Sequence, residues 1–111
     1  MTAVTDEVLR QMVRAIVREV DPEQIWLFGS RARGEGGPDS DVDLLVVERE
    51  PFGPGRSRFG EVGRVRRALS AFRVPKDILV FSADEVQHWR DSLNHIIAEC
   101  IRQGRLLYDR P

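Results

Sequence analysis

The chain holds one cysteine and one tyrosine among 111 residues, and Lys76 is its only lysine. A lone Cys100 can close no intrachain disulfide and build no cysteine-rich zinc site. Long hydrophobic runs are missing as well: runs such as Ile25 to Phe28 and Leu44 to Val47 fall far short of a membrane span. Asp6 and Glu7 interrupt the first ten residues, so no secretory leader is read there and a cytoplasmic location is expected. An excess of one charge is absent too. Seventeen basic residues face eighteen acidic ones, which argues against indiscriminate nucleic-acid binding. Neither a Walker-type phosphate loop nor a dinucleotide fingerprint occurs. What remains is a globular composition, with a length that predicts a single domain over residues 1–111.

Apolar periodicity supplies the elements. Val8, Leu9, Met12, Val13, Ile16, Val17 and Val20 recur at helical spacing, with Asp6 and Glu7 at the positive end and Asp21-Pro22 as the stop. Gln24 to Phe28, closed by Gly29, reads as a buried strand, and Gly34 to Pro38 as a loop. Asp41 to Val47 reads as a second strand. Its pleat sets Asp41, Asp43, Leu45 and Val47 on one face, and Val42, Leu44 and Val46 on the other. Beyond a loop at Pro51 to Gly55, a helix is expected from about Arg56 to Phe72, burying Phe59, Val62, Val65, Leu69 and Phe72. Asp77 to Phe81 makes a third strand, and Ser82 with Glu85 spells a capping box. A last helix carrying Leu93, Ile96, Ile97 and Cys100 ends near Gly104, before a short strand at Leu106 to Tyr108. The fold class is therefore α/β (α+β), a small mixed sheet of three to four strands flanked by helices.

Three features point to chemistry. Gly29-Ser30 ends a strand and opens a helical turn, where a glycine lets the backbone approach a phosphate and the Ser30 hydroxyl can donate to it. Asp41 and Asp43, at i and i+2 on a strand, point the same way and can share hard cations. Asp77 leads an apolar strand as a buried-looking acid, a place where an unpaired carboxylate is costly and a nearby cation is expected. Each feature alone has a plain reading, as a turn, a solvated strand start or a cap. Asp39, Asp41 and Asp43, with Glu50 at the twelfth position, imitate a calcium loop, but Leu44 stands where that loop requires glycine. Six arginines (Arg56, Arg58, Arg64, Arg66, Arg67, Arg73) share a stretch whose only acid is Glu61. They read as a solvated helix face or as a docking surface for an acidic partner. His88, His95, Trp26, Trp89 and Cys100 are assigned no chemistry.

Together, Phe28 to Gly34 and Ser40 to Leu44 resemble the signature of the DNA polymerase beta superfamily, and most closely its minimal nucleotidyltransferases, the MNT proteins. The likeness runs over nearly the whole chain, with Lys76 to Val80 as the strand of the third acid. The resemblance implies a nucleotidyltransferase fold, two magnesium ions held by Asp41, Asp43 and Asp77, and ATP as nucleotide donor. It sets Gly29, Ser30, Arg33 and Ser40 against the nucleotide. Arg33 can equally pair with Asp39 or Glu35, and the role of Arg31 is open. Asp77 would bind the ion that activates the acceptor or take its proton. Larger members carry a further helical domain for which this length leaves no room, so the acceptor is expected to be a macromolecule. Proteins of this family act as antitoxins that add AMP to a tyrosine of a HEPN-domain toxin. The resemblance thus implies a hetero-oligomer with such a toxin and no specific nucleic-acid partner. A split small-molecule nucleotidyltransferase and a binding-only antitoxin are the alternatives.

Overall fold

The computed structural model describes residues 4–37 and 40–111. Pro38 and Asp39, the end of the expected loop and one acid offered to Arg33, lie outside the described residues, as do residues 1–3. The first helix, α1 (Asp6–Val20), starts where the Thr5 hydroxyl accepts from the Val8 amide and stops at Asp21, whose φ of 46° is left-handed. Strand β1 (Gln24–Phe28) runs into a four-residue helix, α2 (Gly29–Ala32). Then come β2 (Val42–Glu48), α3 (Arg58–Ala68), β3 (Lys76–Ser82), α4 (Ala83–Trp89), α5 (Ile96–Gln103) and β4 (Arg105–Asp109). The sheet order is β3-β2-β1-β4, with β1 antiparallel to both neighbours and β2 parallel to β3. The mixed sheet is therefore four-stranded, as its upper bound anticipated.

Strand pleating divides the core in two. Val42, Leu44 and Val46 face α1 and α3, meeting Leu9, Met12, Ile16, Val65 and Leu69. Leu45 and Val47 face the other way, against Val86 of α4 and Ile97 and Cys100 of α5. Burying a side chain such as Ile16 or Leu44 contributes about 1.5–3 kcal/mol, so the two small cores carry most of the favourable energy. Among the described residues, no helix is long and apolar enough to cross a membrane.

Several sequence expectations need correction. Helix α3 begins at Arg58, not Arg56, because Ser57 caps it by accepting from the Gly60 amide at 2.9 Å. Its buried face follows Glu61, Val65 and Leu69 at four-residue spacing. Phe59, two residues before Glu61, points to roughly the opposite side of the helix and is 89% exposed. Leu93 is 86% exposed and precedes α5, since His95 Nδ1 caps that helix by accepting from the Ile97 amide. The capping box of α4 is present in full.

The arginine run is not one solvated face. Arg56 bonds Glu48 at 2.7 Å and lies 3.3 Å from Glu61; Arg58 pairs with Glu85, and Arg64 pairs with Glu19 and Glu61. These three are internal clamps, which leaves Arg66, Arg67 and Arg73 as the exposed remainder. A docking surface built on Arg64 is therefore withdrawn.

Candidate active site

The topology gathers the sequence features at one end of the sheet. Because β1 ends where antiparallel β2 begins, Phe28 pairs with Asp43, and the turn into α2 starts beside the acids. Because β3 is parallel to β2, Asp77 lies directly opposite Asp43. Asp41 immediately precedes β2, whose first residue is pinned by the Val42 amide donating to the Pro75 carbonyl at 2.9 Å. Three carboxylates thus come from two adjacent strand starts.

Gly29 sits against this group. Its φ of 73° is in the left-handed region, and a Cβ there would overlap the Asp43 carboxylate at Oδ2. Glycine is required twice over, by conformation and by space. Gly34 shares a φ of 73° but has nothing within 4 Å of the Cβ position. Gly34→Ala should therefore carry only the left-handed conformational penalty, about 1–2 kcal/mol. Gly29→Ala should cost more and displace Asp43. Urea denaturation of the two variants checks this, and equal losses would mean that Asp43 does not crowd Gly29.

Asp43 is half-buried, whereas Asp41 and Asp77 are exposed. The expectation of a buried Asp77 is corrected: it lies at the first turn of an edge strand, where the sheet no longer covers it. The acid that burial does perturb is Asp43. Its pKa is raised first by desolvation, then by the charges of Asp77 and Asp41, against a smaller opposing pull from Arg31 and Arg33. That electrostatic coupling places all three carboxylates within one field. Among the described residues, no three His, Cys, Asp or Glu side chains close into a ready metal cage. The donor set is of hard oxygens on an open edge, which suits magnesium completed by water and substrate phosphates rather than a dedicated protein cage.

The loop after α2 is held by its own residues. Arg31 donates to the Ser40 carbonyl through Nε at 3.0 Å and Nη2 at 2.7 Å, and the Gly37 amide donates to Ser40 Oγ at 2.8 Å. The Glu35 amide donates to the Ser30 carbonyl at 2.9 Å. The Ser40 hydroxyl is thus engaged in closing the loop, and Arg31, left open by the sequence, fastens the segment that delivers Asp41. Arg33 Nε bonds Glu35 at 3.0 Å, with both side chains largely exposed, and Arg33 lines the same pocket as Gly29. Cys100, as expected, is buried, and its thiol is pushed up to about 12 by burial, Glu99 and Asp43. Trp89 stacks on His95 with ring centroids 4.4 Å apart, so neither of these two residues is free.

A family model described as "Nucleotidyltransferase domain" matches residues 9–103, from Leu9 within α1 through the end of α5. The chain belongs to the nucleotidyltransferase domain family. Within curated proteins it is similar to a Haemophilus influenzae protein named "Probable protein adenylyltransferase MntA", 36% identical over 42 residues. That match spans 37% of this chain and 37% of the relative. Among solved structures it resembles a putative nucleotidyltransferase from Sulfolobus solfataricus, with a TM-score of 0.58 and 24% identity over 92% of this chain and 86% of that one. A chain from a toxin–antitoxin structure with AMP-PNP gives a TM-score of 0.56 and 20% identity over 88% of this chain and 71% of that one. A chain of an MntA-HpeT toxin–antitoxin mutant also gives 0.56, with 16% identity over 96% and 74%. At these identities the structural likenesses establish the fold, a nucleotidyltransferase sheet flanked by helices.

Proposed function

We propose that the chain transfers AMP from ATP, with magnesium, to a hydroxyl of a partner protein, and that the partner is a toxin of the HEPN class. The observation that carries the reading is the contact of Gly29 with Asp43, which sets a backbone open to phosphate beside three electrostatically coupled carboxylates. The printed names of the relatives support the acceptor class: one is a probable protein adenylyltransferase, and a structural neighbour is a toxin–antitoxin pair with AMP-PNP.

In this reading Asp41 and Asp43 would hold two magnesium ions, with Asp77 completing the site. Magnesium there would lower the charge on the α-phosphate and favour loss of pyrophosphate. The amides after Gly29 and the Ser30 hydroxyl hold the β- and γ-phosphates. Asp77, exposed to solvent where an acceptor hydroxyl arrives, would either bind the ion that activates that hydroxyl or take its proton as the oxygen bonds to the α-phosphorus and pyrophosphate leaves. Desolvation raises the pKa of Asp43, and a cation beside it would act in the opposite direction, favouring the carboxylate. Asp41 and Asp77 are open to solvent, so the partner itself must supply most of the acceptor's orientation. A hetero-oligomer in the cytosol follows from that reading.

The test incubates the protein, ATP and magnesium with its cognate toxin and weighs the toxin by mass spectrometry. One or more adenylyl increments on the toxin are expected, and negligible transfer to sugars or antibiotics. Efficient small-molecule transfer by the chain alone would favour the split enzyme. Full toxin neutralisation by a variant with Asn at positions 41, 43 and 77 would favour a binding-only antitoxin.

A further inference from the structure

We propose that the trough along α1, between that helix and edge strand β4, is the docking site for an acidic amphipathic helix of the partner protein. The inference rests on the functional reading above and names the surface that holds the partner. Leu9, Val13 and Val17 stand four residues apart, so they form one row about 12 Å long on α1. Leu107 and Tyr108 of β4 make the opposite wall, in two grooves of about 440 Å³ and about 760 Å³ that share Val13 and Arg14. The larger groove extends over α1 to Ala68 and Phe72 near the end of α3. β4 ends the sheet order, so among the described residues no further strand closes the trough.

Charge identifies the occupant. Arg10, Arg14, Arg18 and Arg105 line the two grooves against a single acid, Asp6. Arg10 pairs with Glu7 at 2.8 Å, and Arg105 stands 3.9 Å from Asp6. Arg14 and Arg18 are exposed and make no hydrogen bond or ion pair with another described residue. Each follows a member of the apolar row by one position, about 100° further round the helix, so the two cations rim the row on its outer side. A helix laid in the trough, with apolar residues at i, i+4 and i+7 and carboxylates beside them, buries the first set and pairs the second. A second copy of this chain does not complement the surface, because a symmetric contact would set these arginines against their own kind.

Position ties the trough to the acids. Arg105, at one end of it, pairs with Leu27, two residues before Gly29. That end therefore opens where β1 turns into α2 beside Asp43. The trough itself lies on the α1 face of the sheet, whereas Asp43 shares the α5 face with Leu45 and Val47. Docking there leaves the site of the nucleotide uncovered, and the partner reaches the acids round the end of the sheet.

Calorimetric titration of the full chain with its cognate toxin tests the surface. Arg14→Glu should weaken the complex about tenfold, as should Val13→Asp within the apolar row. Arg66→Glu reverses an exposed arginine about 200° round α3 from Ala68, and should leave the affinity unchanged. All three variants should keep the wild-type affinity for ATP with magnesium. Arg14→Glu, at an exposed position, serves alone should Val13→Asp fail to fold. Wild-type toxin affinity in Arg14→Glu, or an equal loss in Arg66→Glu, would overturn the inference while leaving the transfer reading standing. A dimer of the free chain that Arg14→Glu or Val13→Asp breaks up, seen by sedimentation, would overturn it in favour of a second copy. Trough-dependent binding with no adenylyl increment on the toxin would keep the docking site and remove the transfer reading. Neither binding nor increments with the wild type would overturn both.

Discussion

Asp43→Asn should lower the proposed adenylyl transfer by about 10²–10³-fold or more, the scale of losing one charge-stabilising group from an active site, while raising the stability of the metal-free protein. The two effects share one cause. Burial and the neighbouring Asp77 and Asp41 charges raise the Asp43 pKa, so the folded chain binds this proton more tightly than the unfolded chain does. The contribution to stability is therefore greatest below the ordinary aspartate range and is lost as pH rises through the folded value. An Asn at this position carries no charge, so the melting temperature of the variant should exceed that of the wild type at neutral pH. The gain should shrink at acidic pH. Added magnesium should narrow the gap at neutral pH, because the cation stabilises only the wild-type carboxylate. Thermal melts at two pH values, with and without magnesium, check each sign. A variant less stable than wild type under every condition would show that Asp43 is structural.

The second large effect lies at the far end of the same strand. Glu48 is 3% exposed, and Arg56 bonds it at 2.7 Å while lying 3.3 Å from Glu61. Burial, then the neighbouring Glu61 carboxyl, raises the Glu48 pKa to about 7. Glu48 Oε2 and Arg56 Nε are buried without partners among the described residues, which fits a cluster under electrostatic stress. Arg56→Ala removes the one cation placed between the two acids and should cost about 3–5 kcal/mol, as breaking a buried ion pair does. The sign with pH follows from Glu48. Below the ordinary glutamate range it is neutral in both states and needs Arg56 least; as pH rises through 7 its folded carboxylate must ionise. The loss should therefore be larger at pH 8 than at pH 5. Glu48→Gln should move the opposite way, gaining on the wild type as pH rises. Denaturant melts of both variants at the two pH values decide the matter. A pH-independent loss for Arg56→Ala would mean that Glu48 does not titrate there.

That cluster was not legible in the sequence. Arg56 reads as the start of an arginine-rich helix because helical periodicity registers its neighbours along the chain and not the acid across the fold. Glu48 closes an apolar strand, and nothing local announces that Glu61 folds back onto it. Phe59 differs for a related reason: spacing marks a stripe, but the face that packs is chosen by contact with α1 and β3, and the residues buried there are Glu61, Val65 and Leu69. Asp77 looked buried because the residues after it are apolar, yet an edge strand leaves its first turn to solvent. Ser40 and Arg31 were separable only once the loop was seen closing on itself through the Ser40 carbonyl and hydroxyl.

What depends on nearest neighbours is legible along the chain: the extent of α1, the pleat that sends Asp43 one way and Val42 and Leu44 the other, the Ser82–Glu85 cap, and the turn at Gly29. These follow from side-chain period, capping and backbone conformation, all local properties. The assembled fold alone brings Asp77 into register with Asp43, sets Gly29 against the Asp43 carboxylate, and turns Arg56 inward to Glu48 and Glu61. The physical reason is that a strand's period fixes which face a residue occupies, whereas its opposite number depends on strand order and direction, and those are set by the packing of the whole sheet.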